Sequence, residues 1–96
     1  MSGLKWLPEA LADIARLHGF LHSKKPAAAA RAAKTILDAA ETLRANPVMG
    51  RPMGDDTGRR EWFAAFGAGA YVLRYRIDSA DGPVIIRVWH SLERRK

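Results

Sequence analysis

Cysteine is absent from this 96-residue sequence, and so is any long apolar run. Without cysteine the chain has neither a disulfide framework nor a thiolate metal site. No apolar stretch approaches the roughly 20 residues that a membrane span requires, and the N-terminus has no signal-peptide core. These absences predict a cytoplasmic protein that does not enter a membrane.

Acidic residues are also scarce, at 10 against 16 lysines and arginines, which gives a formal net charge of +6. Such a charge favours acidic partners, although solubility alone explains it equally well. Lysine is missing between Lys34 and Lys96, so the basic residues of the second half are arginines up to the last position. Because the guanidinium is a planar fork that suits carboxylates and phosphates, this bias favours recognition over simple solvation.

The length and globular composition predict one domain, residues 1–96. We predict a short strand at residues 4–7, helices at 8–22 and 26–44 that each begin at a proline, a turn-rich connector without elements at 48–58, and strands at 60–66, 70–78 and 83–90. The fold class is therefore α+β, in the order β-α-α-β-β-β, with an N-terminal helical hairpin packed on a mainly antiparallel sheet. The predicted buried positions of the first helix are Leu11, Ile14, Leu17 and Leu21, with Phe20 beside them, and those of the second are Ala29, Ala33, Ile36, Leu37, Ala40 and Leu43.

The last two strands alternate between apolar and basic side chains. Period-two alternation predicts a core face that carries Tyr71, Leu73, Tyr75, Ile77, Val84, Ile86, Val88 and His90, and an opposite face that carries Val72, Arg74, Arg76, Ile85, Arg87 and Trp89. Three arginines on adjacent strands repel one another unless an acidic partner, or a salt bridge to Glu61 or Asp78, neutralises them. We predict partner binding, with Arg87 as the strongest candidate because Trp89 shares its face. The full set of partner-binding candidates is Arg60, Arg74, Arg76, Arg87, Trp89 and Arg94.

Seven segments in a fixed order resemble the RelE/ParE superfamily of small bacterial toxins. They are residues 6–10 (WLPEA), 20–21 (FL), 30–32 (ARA) with Leu43, 46–52 (NPVMGRP), 60–61 (RE), 71–76 (YVLRYR) and 87–94 (RVWHSLER). No single segment is diagnostic, but together they cover nearly the whole chain. The resemblance implies a sheet curved around the helical hairpin, and an antitoxin encoded beside the toxin that wraps and neutralises it.

The resemblance also implies one of two activities. RelE-like members cut messenger RNA in the ribosomal A site, and ParE-like members poison DNA gyrase. RNA cleavage needs proton-transfer groups as well as cations. If the chain is a ribonuclease, its site residues are His90, Arg87, Arg74 and Glu61, with Glu93 as a further acid–base candidate. Arginine cannot exchange its proton at ordinary pH, and alternation points His90 toward the hairpin, away from Arg87.

These residues favour the ParE-like branch, with no catalytic centre and no cofactor. The expected partners are a ParD-like antitoxin and DNA gyrase as target. The antitoxin is expected to bind in a hetero-oligomer, through an acidic amphipathic segment laid across the helical hairpin and against a sheet edge. No sequence-specific DNA binding is expected. His18 and His22 have a chelating spacing but no third ligand, so no metal site is predicted. The alternatives are a ribosome-dependent mRNA endoribonuclease and a non-toxic family member that only binds its antitoxin.

Overall fold

The computed structural model describes residues 3–93. Its elements are β1 (Lys5–Trp6), α1 (Pro8–His22), α2 (Pro26–Ala45), β2 (Arg51–Pro52), β3 (Arg60–Phe66), β4 (Gly69–Asp78) and β5 (Gly82–His90), with a 3-10 turn at Pro47–Met49. Both helices begin at the predicted prolines, where the missing N–H has no helical partner to lose. The α+β prediction is confirmed, and no helix within the described residues is long and apolar enough to cross a bilayer.

The five strands lie in the order β1-β5-β4-β3-β2. Only β1 and β5 are parallel, and the other three pairings are antiparallel, as predicted. The two-residue strand β2 lies in the connector where no element was expected, pairing Arg51 with Glu61 and Pro52 with Arg60. The rest of the sheet holds the connector in the position where β2 can pair. The local sequence of β2 therefore need not carry a strand signal, and it carries none.

The helices cover one face of the sheet and bury small side chains against it. In α2 the buried residues are Ala28, Ala29, Ala32, Ile36, Ala39, Ala40 and Leu43. This stripe is centred on Ile36 and leaves Leu37 outside it, 51% exposed. In α1, Leu11 is likewise exposed, so both leucines were wrongly predicted to be buried.

A β-bulge in β5 changes the predicted alternation. Leu73 pairs with Val88 and Tyr75 pairs with Ile85, so Ile86 is an extra residue without a partner on β4. Ile85 therefore joins the core cluster, whereas Val84 lies across from Arg76 on the other face. The predicted face was wrong for Val84 and Ile86 for this reason, although Val84 is fully buried as expected of a core residue.

The core face of β4 is otherwise as predicted until the strand nears its end. Tyr71, Leu73 and Tyr75 are all buried in the core cluster together with Val88 of β5. Ile77 was also predicted to be buried, but next to the last residue of β4 it is 43% exposed.

Candidate functional site

The helix-free face of the sheet carries charged side chains side by side across four strands. The strand register aligns Arg51 with Glu61, Glu61 with Arg74, and Arg74 with Arg87. We call these four residues the charged row. The predicted grouping of Arg74 and Arg87 on one face is confirmed by this register.

Arg74 is the most enclosed cation of the charged row. Its Nε and Nη2 donate to Glu61 Oε2 at 3.1 and 2.8 Å. Its guanidinium also lies 4.9 Å from the centre of the Trp89 ring, within the range of a cation–π contact. Trp89 therefore packs beneath a neutralised arginine on this face.

Arg87 is paired with a residue that the sequence analysis missed. Its Nε and Nη2 donate to the two carboxylate oxygens of Asp13 on α1, at 2.8 and 3.0 Å. The backbone N–H of Val88 donates to the same carboxylate at 2.8 Å, on the edge of β5 beyond its pairing with β1. The carboxylate of Asp13, which is only 4% exposed, thus joins the helical hairpin to the sheet through these hydrogen bonds.

The electrostatics agree with this geometry. Burial by itself raises the pKa of Asp13, but the hydrogen bonds from Arg87 and Val88 outweigh it and hold the pKa below its usual range. Hydrogen bonding to Asp13, together with the charge of that carboxylate, raises the pKa of Arg87. A signal for Asp13 did exist in the sequence, since it is a lone carboxylate beside Ile14 within the apolar stretch of α1.

Arg76 lies near the end of the same face and contacts Asp78 at 3.6 Å. Backbone N–H groups of Asp81 and Ala80 hold the pKa of Asp78 below its usual range. Arg74 and Arg76 thus have the intramolecular partners named from the sequence, Glu61 and Asp78, while Arg87 has Asp13. The role of these arginines in partner binding stays a prediction, and Arg94 lies outside the described residues.

Arg60, another predicted partner-binding residue, holds the connector at one end of the sheet. Its Nη1 donates to the carbonyl oxygens of Val48 and Gly50, at 3.1 and 2.8 Å. The buried hydroxyl of Tyr75 donates to Pro47 O at 2.6 Å and accepts from Gly50 N at 2.8 Å. We call Pro47, Gly50, Arg60 and Tyr75 the connector end.

His90 lies at the opposite end of β4 and β5, on the face that the helical hairpin covers. Its Nδ1 accepts the N–H of Leu92 at 3.2 Å, so the proton of the neutral ring is on Nε2, which donates to Phe66 O at 3.0 Å. The ring meets Tyr71 edge-on with centroids 5.0 Å apart. We call Phe66, Tyr71, His90 and Leu92 the cavity end.

An apolar cavity of about 690 Å³ opens at the cavity end. It lies between the second half of α1, the β3–β4 turn and the residues after β5, and its walls include Phe20, Leu21, Ala68 and Leu92. An ion pair between Arg16 and Glu93 lies at its margin, and Glu93 Oε1 also accepts the backbone N–H of His90. No pattern in the sequence pointed to this cavity, because three separate segments form it.

The four predicted ribonuclease site residues do not converge on one site, although the further acid–base candidate Glu93 lies beside His90. His90 lies on the helix-covered side with Tyr71, its partner across the strands, whereas Glu61, Arg74 and Arg87 lie on the other side of the sheet. The two histidines of α1, His18 and His22, stack with ring centroids 5.5 Å apart. No group of three or more metal-ligating side chains occurs within residues 3–93.

Comparison with known proteins gives consistent matches over almost the entire chain. Residues 4–95 match the family model described as the ParE toxin of the type II toxin–antitoxin system parDE. Toxin RelE3 of Caulobacter vibrioides is 40% identical over 95 residues, which are 99% of this chain and 100% of that protein. Toxin RelE1 of the same organism is 40% identical over 83 residues, 86% of each chain.

A solved structure described as the chromosomal ParDE TA system from P. aeruginosa has the same fold. It superposes with a TM-score of 0.75 over 94% of this chain and 96% of that chain, at 24% sequence identity.

Proposed function

This chain belongs to the ParE toxin family of type II toxin–antitoxin systems, and we propose that it inhibits growth by binding DNA gyrase, without a catalytic centre of its own. Family membership makes an antitoxin its partner. We further propose that this antitoxin is ParD-like, that the two form a hetero-oligomer, and that they act in the cytoplasm.

The observation that carries the proposal is the state of His90. Both ring nitrogens are engaged with backbone groups, Nε2 with Phe66 O and Nδ1 with Leu92 N–H. A general acid or base must exchange a proton with the substrate, and a ring held on both sides by the main chain has no nitrogen left for that purpose. His90 therefore serves as a clamp between the β3–β4 turn and the residues after β5.

The remaining ribonuclease candidates support the same conclusion. Glu61 accepts two hydrogen bonds from Arg74, Glu93 is paired with Arg16, and Arg87 donates to Asp13. Arginine stabilises developing charge but does not supply or remove a proton at ordinary pH. A binding function requires none of these groups to be free.

The second candidate is a ribosome-dependent mRNA endoribonuclease. The specific observation in its favour is that two relatives, each 40% identical, are named RelE toxins. In that case His90 would have to leave its backbone contacts when substrate binds, and the arginines would stabilise the phosphorane charge from across the sheet.

The test is to induce the chain alone and follow thymidine and amino-acid incorporation during the first minutes. An early fall in DNA synthesis, followed by inhibition of purified gyrase in a supercoiling assay, supports the proposal. An early fall in protein synthesis overturns it in favour of the ribonuclease. No effect on growth, with antitoxin binding intact, identifies a member that only binds its antitoxin.

A variant of the clamp sharpens this test. His90→Gln keeps a side chain that both donates and accepts hydrogen bonds but does not titrate. We expect it to remain toxic, as should the control His22→Gln at an exposed position of α1. Loss of toxicity in His90→Gln alone, with folding and antitoxin binding unchanged, would assign His90 a catalytic role.

A further inference from the structure

The two edges of the five-stranded sheet are protected to different degrees. At one edge β5 is covered by β1 and, beyond β1, by α1, where Val88 N–H donates to Asp13. At the other edge β2 pairs with only the first two residues of β3, Arg60 and Glu61. The stretch of β3 at residues 62–66 therefore has no neighbouring strand on its outer side in the described part of the chain.

The backbone groups of Phe63 and Ala65 point out of this edge. Opposite residues on antiparallel strands alternate between pairs that exchange two hydrogen bonds and pairs that exchange none. Ala65 and Ala70 form a pair of the second kind, because Ala70 bonds on its other side, with its N–H to Ser91 Oγ at 2.9 Å and its carbonyl oxygen to Ser91 N–H at 2.7 Å. Phe63, two residues before Ala65, has the same direction by this alternation. Within residues 3–93 neither residue has a backbone hydrogen bond on the outer side of β3, and we call these two residues the open edge.

The open edge lacks the features that prevent the strands of separate molecules from pairing. Natural edge strands are usually protected by a charged side chain, a proline, a β-bulge or a covering segment. The sequence of residues 62–70 is WFAAFGAGA, which has neither a charge nor a proline, and the register between β3 and β4 is regular. Phe63 is 45% exposed, and Ala65 is exposed on the same face. The edge is therefore open to an added strand.

This edge is complementary to a second copy of itself. When two β3 strands pair antiparallel about a two-fold axis at Ala64, Phe63 of each copy lies opposite Ala65 of the other. Both pairs then exchange two backbone hydrogen bonds, which satisfies every outward N–H and carbonyl group of the open edge. The phenyl ring lies beside a small side chain, and no like charges face each other across the pairs.

We propose that this chain forms a homodimer through the open edge, so that the sheets of two copies join into one continuous sheet. The paired segment is short, because β2 limits it on one side and the β3–β4 turn limits it on the other. Five residues extend over about 17 Å, less than a standard interface spans, and we expect a dissociation constant of about 10–100 µM. The inference goes beyond the proposed function and does not depend on whether the target is gyrase or the ribosome.

Sedimentation equilibrium of the purified chain, free of antitoxin, measures this association. Ala65→Pro removes an outward N–H and leaves the ladder between β3 and β4 intact, and Ala65→Lys adds a charge where the strands meet. The control Ala68→Lys adds the same charge in the exposed β3–β4 turn, outside the paired segment. We expect both substitutions of Ala65 to raise the dissociation constant at least about 10-fold and Ala68→Lys to change it less than about 3-fold.

Hydrogen exchange locates the contact. The amides of Phe63 and Ala65 should exchange more slowly in concentrated than in dilute solutions of the native chain, whereas the amide of Ala68 in the turn should not respond. Circular dichroism and thermal unfolding check that each variant folds, and Ala65→Lys decides the outcome if Ala65→Pro does not fold.

Three results would overturn the inference. The first is a native chain that stays monomeric at about 1 mM, well above the expected dissociation constant. The second is dimerisation that both Ala65 variants leave unchanged, or that Ala68→Lys weakens as much as they do. The third is a monomeric chain whose Phe63 and Ala65 amides become protected only when purified antitoxin is added, which would assign the open edge to a strand of the antitoxin.

Discussion

The two ends of β4 are built in opposite ways. At the connector end, the Tyr75 side chain is fully buried and its hydroxyl both donates and accepts a hydrogen bond. At the cavity end, Tyr71 lines an open apolar cavity, and within residues 3–93 its hydroxyl makes no hydrogen bond. A tyrosine is thus enclosed and fully hydrogen-bonded at one end of the sheet, whereas a tyrosine at the other end lies beside an open cavity.

We infer from this difference that the connector end contributes mainly to stability and that the cavity end is available for recognition of a partner. Polar groups at the connector end are satisfied internally, so a substitution there leaves a buried donor or acceptor without a partner. The exposed apolar groups of the cavity end gain little from folding and are available to a partner. Substitutions at the connector end should therefore change the free energy of unfolding, and those at the cavity end should change binding.

The largest effect is expected for Gly50→Ala at the connector end. A Cβ atom at Gly50 would overlap the Tyr75 hydroxyl and ring, which are buried and cannot move aside. Overpacking at such a site should lower the free energy of unfolding by about 3 kcal/mol, as measured by urea denaturation.

A matched glycine controls for backbone effects. Gly19 lies in α1, and a Cβ there would meet no atom within 4 Å. Gly19→Ala should therefore raise the free energy of unfolding, by about 0.5–1 kcal/mol, since alanine is the better helix former. Equal changes in the two variants would show that the connector end is not tightly packed.

The next effect is expected for Asp13→Asn, which removes the charge that joins α1 to β5. The variant weakens the contacts with Arg87 and Val88. We expect it to lower the free energy of unfolding by about 2 kcal/mol near neutral pH. The control is Asp38→Asn, where an exposed ion pair with Lys34 should contribute less than about 0.5 kcal/mol.

The pH dependence of Asp13 has a definite sign. The pKa of Asp13 in the folded chain lies below its ordinary value of 3.8, so the charged carboxylate stabilises the fold fully above that value. The stabilisation is lost as the pH falls through the lower folded pKa. The difference in the free energy of unfolding between the native chain and Asp13→Asn should therefore be constant near neutrality and shrink only at acid pH. A difference that grows on acidification would contradict the assigned contacts.

A smaller effect is expected when the two tyrosines are compared directly. Tyr75→Phe leaves Gly50 N–H and Pro47 O without the hydroxyl, at an expected cost of about 1.5 kcal/mol. Tyr71→Phe removes a hydroxyl at the open cavity and should change stability by less than about 0.5 kcal/mol. Similar losses in both variants would mean that the two ends of β4 do not differ as described.

Local sequence signals were sufficient for most of the fold. Pro8 and Pro26 set the helix starts, and residues 46–47 (NP) mark the end of α2, so the elements were predicted within a few residues. The core assignments of Tyr71, Leu73 and Tyr75 also followed from alternation. These features depend on residues that are neighbours in the chain.

What the sequence did not predict depends on residues distant in the chain. Ile86 is a bulge only because Tyr75 pairs with Ile85, and no local pattern specifies that register. Asp13 acquires its partner Arg87 from 74 positions away. Of the candidate site, the arginines and the carboxylates that pair with Arg74 and Arg76 were therefore predicted, but the pairing of Arg87 with Asp13 was not, and the cavity was missed altogether.

The smallest effect on stability is expected at the cavity end itself. Leu92 is largely exposed, and its backbone N–H, not its side chain, supports His90. Leu92→Ser keeps that backbone contact and should change the free energy of unfolding by less than about 0.5 kcal/mol. If the cavity end is a recognition surface, the same variant should bind the antitoxin more weakly while unfolding at an unchanged urea concentration. A loss of more than about 1 kcal/mol would instead place Leu92 in the folding core, and the contrast between the two ends of β4 would no longer hold.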